Sequence, residues 1–98
     1  MPKSKVFFTD LNTKPGNNLT DKLKHLIISA GAGDLDYKDK FAAVKIHFGE
    51  WGNLAYIRPN YARVVVDFIA EKGGRPFLTD ANTLYVGKRA NAVDHLWT

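Results

Sequence analysis

Lys45, His47 and Glu50 bring a cation, an imidazole and a carboxylate to the end of one apolar run, K-I-H-F-G-E from Lys45 to Glu50. Side chains of these types hold anions, move protons or ligate divalent ions. Phe41 to Phe48 reads as a buried strand, with Ala42, Val44, Ile46 and Phe48 on one face and Phe41, Ala43, Lys45 and His47 on the other. Lys45 and His47 therefore point to the same side. Gly49 and Gly52 loosen the following loop, Asn53 adds an amide, and Arg58 with Pro59 opens the next helix.

A charged Lys45 is costly to bury alone, so it either pairs with Asp10 or Asp80 or serves as a proton-transfer group or anion clamp. His47 fits three roles: metal ligand, acid or base, or a core histidine donating to a carbonyl. Lys45, His47 and Asp80 are the catalytic candidates. His47, Glu50 and Asp80 form a mixed nitrogen and oxygen set for a divalent ion, although their spacing is unspecific. Lys45, Arg58 and Arg89 form a possible anion-binding group, with Arg58 at a helix start, where negative charge is favoured. No G-x-G-x-x-G or Walker A sequence is present, and no RNA-recognition signature accompanies the aromatic residues, so nucleic acid is not an expected partner.

The segment F-F-T-D-L-N-T, Phe7 to Thr13, is echoed by F-L-T-D-A-N-T, Phe77 to Thr83. Asn18, Asp21 and Leu23 are then echoed by Asn91, Asp94 and Leu96 after a shift of three residues. That pattern predicts two similar strand-loop-helix units. Asp10 with Asn12, and Asp80 with Asn82 and Thr83, either form Asx turns after strands or line a ligand site.

The elements that position these residues alternate. Val6 to Thr9 reads as a strand. Asn18 caps a helix carrying Leu19, Leu23, Leu26, Ile27 and Ala30 on one face, and Gly31 and Gly33 end it. Phe41 to Phe48 follows, then a helix from Pro59 to the glycines at 73 and 74, a strand from Arg75 to Thr79, and a helix beginning near Asn91. The order β-α-β-α-β-α predicts an open three-layer α/β unit with a parallel sheet, in which ligands bind at the carboxyl ends of the strands. Residues 1–98 make a single domain. Around the second helix, Asn60, Arg63, Asp67 and Glu71 form one polar stripe, whereas Tyr61, Ala62, Val64, Val65, Val66, Phe68 and Ile69 occupy the rest. Three strands cannot cover that surface, and the last helix is short, so more chain or a second copy is expected to pack there.

With 45% hydrophobic residues the chain can build a modest core, and its formal charge of +4 permits anionic partners without requiring them. Having no cysteine, it can form neither a disulfide nor a thiolate metal site, and it holds no cofactor of that kind. A cytoplasmic location is expected, since Val6 to Phe8 is too short for a signal peptide and no stretch approaches the length of a membrane span.

The run A-V-K-I-H-F-G-E-W-G-N-L-A-Y-I-R-P-N-Y-A-R from Ala43 to Arg63, followed by F-L-T-D-A-N-T-L-Y-V-G-K-R-A-N-A-V-D-H-L from Phe77 to Leu96, closely resembles a bacterial and archaeal family. That family is the domain of unknown function three-six-two, often found in iron-sulphur proteins with a ferredoxin-type module. The resemblance implies a longer parent protein, of which this chain is the N-terminal part, with 4Fe-4S clusters possible in the parent. Its recurrent positions fall on Lys45, His47, Glu50, Asn53, Arg58, Pro59, Asp80, Asn82, Thr83 and Arg89. The expected function is binding of, or action on, a small anionic ligand at the strand ends. The rival is a non-enzymatic interaction or oligomerisation domain, in which these polar residues only knit loops together.

Overall fold

Asn18 opens the first helix by a reciprocal capping box. Its side chain accepts from the Thr20 and Asp21 amides, and the Asp21 carboxylate accepts from the Asn18 amide. The computed structural model describes residues 1–98, with α1 at Leu19–Ser29, a 3₁₀ turn at Ala32–Asp34, β1 at Phe41–Lys45, α2 at Pro59–Glu71, β2 at Arg75–Thr79 and α3 at Ala92–Leu96. Pro59 takes the first turn of α2, where its missing N–H leaves no intrahelical bond unmade. Gly73 ends that helix in the left-handed region, at φ 82°, and Gly74 donates back to the Ile69 carbonyl at 3.0 Å. Both glycines do what the sequence pattern requires of them.

β1 and β2 pair in parallel, from Phe41 opposite Arg75 to Lys45 opposite Thr79. The ladder continues one bond further, from the Ile46 amide to the Thr79 carbonyl at 2.9 Å, so both strands end together. The Arg75 guanidinium covers the Phe41 ring at 4.3 Å and closes the opposite end. The α/β class with a parallel sheet therefore stands, but on two strands.

Val6 to Thr9 forms no strand. No backbone hydrogen bond joins this segment to β1 or β2, and Val6 and Phe8 are exposed. The reason lies in packing. Lys22 on α1 holds Asp10 by an ion pair, and α1 rests on α2 rather than on the sheet. The segment before Asp10 is thus anchored to α1, and its β-forming residues have no ladder to join.

The core lies along α2, the element that touches both strands and α1. Ala62, Phe68 and Ile69 are its buried apolar residues, and Tyr37 packs edge-on against Phe68 with ring centroids 6.1 Å apart. Burying Phe68 and Ile69 stabilises the fold by roughly 1.5 to 3 kcal/mol each. Tyr61, Val64, Val65 and Val66 are only half-buried, so the broad apolar surface read around this helix is incompletely covered. On the polar stripe, Arg63 pairs with Asp67 one turn on, and Glu71 pairs with Lys24 of α1. No helix is long and apolar enough to cross a membrane.

Candidate functional site

The register of the sheet builds the site. Because Lys45 lies opposite Thr79, the next residue, Asp80, leaves β2 beside the end of β1, and Lys45 Nζ stands 3.1 Å from Asp80 Oδ1. The Ala81 amide donates to the same carboxylate oxygen at 2.8 Å. The other oxygen, Asp80 Oδ2, faces His95 Nε2 at 3.6 Å and Arg89 Nη1 at 3.9 Å, and it is buried without a hydrogen bond. The Asp80 side chain is only 5% exposed, whereas that of Lys45 is 66% exposed. Burial pushes the Asp80 carboxyl up, but the Ala81 amide, Lys45 and His95 together outweigh it and hold the group below the usual carboxylate value.

Arg89 fixes the loop that carries this carboxylate. It is a buried cation, and its fork serves several partners at once. Nε donates to Glu50 Oε2 at 3.1 Å, Nη2 donates to the Tyr85 hydroxyl at 2.6 Å, and its carbonyl accepts from the Thr83 amide at 2.9 Å. Thr83 Oγ1 donates to the Tyr85 carbonyl, which tightens the same loop. α3 then brings His95 inward. Asn91 caps that helix by accepting from the Asp94 amide, and His95 follows one residue later, with Nδ1 3.1 Å from Asn82 Oδ1.

Lys45, Glu50, Asp80, Asn82 and Arg89 thus converge, with Thr83 supporting the loop. The remaining expected residues stand apart from the cluster. His47 Nδ1 accepts from the Gly49 amide at 2.8 Å, which places the proton of the neutral ring on Nε2, and no bond links His47 to Asp80. Asn53 Oδ1 accepts from the Ala55 amide and shapes a turn. Arg58 precedes α2 as an exposed residue whose side chain does not cap the helix. His47, Glu50 and Asp80 do not gather as metal ligands, because each faces a different partner, and no group of three acidic or imidazole side chains is placed to hold a metal ion.

His95 and Tyr85 complete the cluster without having been among the expected site residues. The repeat carried a signal for His95: Lys22 follows Asp21 as His95 follows Asp94, so aligning the two units pairs them. Lys22 does contact Asp10 and the Asn12 carbonyl. The repeat therefore extends to a nitrogen side chain on each helix.

A cleft of about 540 Å³ opens beside the cluster, with Phe48, Leu78 and Leu96 as apolar lining and Asp80, Asn82 and His95 as polar lining. A larger groove of about 760 Å³ runs between α2 and β2 through Val64, Val66 and Phe77, and it includes none of the cluster. Only the smaller cleft is lined by residues of the cluster. A carboxylate facing an imidazole nitrogen can orient a proton, and Lys45, solvent-exposed on the other oxygen of Asp80 and outside the cleft lining, retains donors for an anion.

These features define an α/β domain with a polar cluster at the carboxyl end of a parallel sheet. Residues 42–98 match the family described as Domain of unknown function (DUF362). The match spans more than half of the chain, every converging residue included, and the chain belongs to that family. Neither a curated protein nor a solved structure matches it significantly.

Proposed function

We propose that this chain is a ligand-binding domain that takes a small anionic molecule in the cleft at the carboxyl ends of β1 and β2. The observation that carries the reading is the convergence of Lys45, Arg89 and His95, from three separate segments, on the enclosed carboxylate of Asp80. Open parallel sheets bind ligands at this end. In this reading Lys45 meets the anion, Arg89 and Glu50 hold the loop, and the His95 and Asp80 pair supplies or accepts a proton. His47 and Arg58 flank the loop after β1 and add an imidazole and a cation outside the cluster. The iron-sulphur association implied by the family resemblance would use cysteines of other residues or proteins, since this chain has none, and a cytoplasmic setting accords with that composition.

Calorimetric titration of the full chain with inorganic phosphate tests the reading. Binding that weakens at least about tenfold in Lys45→Gln, and is unchanged in Arg63→Gln on the far helix, is the expected result. Absence of phosphate binding, or equal loss in both variants, rejects it. The second reading, an interaction domain, draws on the exposed side chains of Val6, Phe8, Leu84, Leu96 and Trp97. A concentration-dependent mass in light scattering would favour it.

A further inference from the structure

Two segments of matching sequence, only the second of which begins in a strand, present related contacts with different chemistry. In the first, Lys22 on α1 reaches Asp10 and donates to the Asn12 carbonyl at 2.8 Å. In the second, His95 on α3 stands 3.6 Å from Asp80 Oδ2 and 3.1 Å from Asn82 Oδ1. Lys22 and His95 hold corresponding positions after Asn18 and Asn91, and each side chain is 14% exposed. The contact in the first is made by a lysine; that in the second is made by an imidazole, the side-chain class whose charge can change near neutrality.

Both ring nitrogens of His95 face oxygen atoms. A neutral imidazole has one N–H and can satisfy one of them, whereas the imidazolium has two and can satisfy both. One acceptor is unmet: Asp80 Oδ2 is buried and has no hydrogen bond, with His95 Nε2 a few tenths of an ångström beyond bonding distance. The other charges around this oxygen are already engaged. Lys45 holds Oδ1, Arg89 divides itself between Glu50 and Tyr85 while its Nη1 remains 3.9 Å from Oδ2, and Asp94 on His95's own helix accepts from Asn91.

We propose that His95 is a proton-operated clasp that fastens α3 to the end of β2, closed when the imidazole is protonated and loosened when it is neutral. α3 is five residues long, and its Val93 and Leu96 side chains are largely exposed, so this contact, the Asn91 cap and the Trp51 bond to the Trp97 carbonyl just beyond it are its main ties. Ala92, His95 and Leu96 form one wall of the cleft, and Leu78, Asp80 and Asn82 form another. Closing the clasp fixes the width of that cleft. This last consequence rests on the cleft being a binding site; the clasp itself does not.

The chain contains its own reporter, because its two tryptophans meet at α3: Trp51 Nε1 donates to the Trp97 carbonyl at 3.3 Å. Tryptophan emission of the full chain, titrated from about pH 5 to about pH 8, is expected to show one transition. That transition should vanish in His95→Lys, which makes the second unit match the first, and persist in His25→Gln and His47→Gln. Its survival in His95→Lys, or its loss in His47→Gln, overturns the proposal. Should His95→Lys fail to fold, amide exchange of residues 92–96 in the unaltered chain decides: greater protection at the acidic end, after correction for intrinsic rates, supports the clasp, and equal protection overturns it. Phosphate binding is measured in parallel at both pH values. A transition that depends on His95 without any phosphate binding supports the clasp and counts only against the binding reading; phosphate binding without such a transition rejects the clasp alone.

Discussion

Lys45 and Asp80 form an ion pair whose members live in different solvents: the lysine side chain is mostly in water, and the carboxylate is almost wholly enclosed. Removing one member is therefore not equivalent to removing the other. Lys45→Ala should lower stability by less than about 1 kcal/mol, as for exposed pairs. Asp80→Ala leaves the buried Arg89 with one fewer counter-charge and should cost about 2 to 3 kcal/mol. Urea unfolding of both variants at neutral pH measures the difference, and equal losses would refute the asymmetry.

Acid should act through the same carboxylate. A group whose folded-state pKa is depressed stabilises the fold above its unfolded value, about 3.9 for aspartate, and that contribution is lost as pH falls through the folded value. Asp80 is lowered in this way, and so are Asp10, chiefly by Lys22, and Asp36, chiefly by Lys40. Stability should therefore decline below about pH 4. Asp80→Asn should flatten part of that decline, while the exposed Asp10 and Asp36 leave a smaller, salt-sensitive remainder. Denaturant midpoints measured across this range, at low and high salt, provide the check.

Two glycines make a matched pair. Gly49 has φ 95°, and a Cβ there would lie 2.7 Å from the Tyr56 ring; Gly87 has no atom within 4 Å of such a Cβ. Gly49→Ala should destabilise by more than about 1 kcal/mol through strain and displacement of Tyr56. Gly87→Ala should change stability by about 0.5 kcal/mol or less, or raise it slightly. Thermal unfolding midpoints of the two variants would show whether the loop after β1 depends on that close approach.

Arg89→Lys retains the charge but loses the fork. A single ammonium cannot reproduce a guanidinium that donates from Nε to Glu50 and from Nη2 to Tyr85. A loss of about 2 kcal/mol is expected, close to that of Arg89→Met. A lysine variant as stable as the parent would show that charge alone holds the loop.

Local signals located most of the elements. The Pro59 start and paired-glycine stop define α2, Asn18 opens α1, and β2 spans the residues read as a strand, because caps and turns depend on neighbours in sequence. Partners are another matter. Val6 to Thr9 has the composition of a strand, but strand pairing is decided by where α1 docks, which no local pattern records. Strand parity predicted Lys45 and His47 on one side, but β1 ends at Lys45 and leaves His47 beyond it, so the first meets Asp80 while the second bonds the Gly49 amide. Glu50 finds Arg89, 39 positions away, instead of joining a metal set with His47. His95 lay hidden because its match to Lys22 shows only when the two sequence segments are aligned.

The parallel ladder has one further effect, on the order in which the molecule assembles. Each residue of β1 pairs with one 34 positions later, so the intervening chain must close into a loop before any ladder bond forms. The capping box of α1, the Asn91 cap of α3 and the ion pair along α2 join residues three or four apart and need no such closure. Helices can therefore precede the sheet during folding. The carboxylate of Asp80 meets Lys45 only once that long loop has closed, which makes the cluster among the last parts of the fold to exist and ties its presence to completion of the sheet.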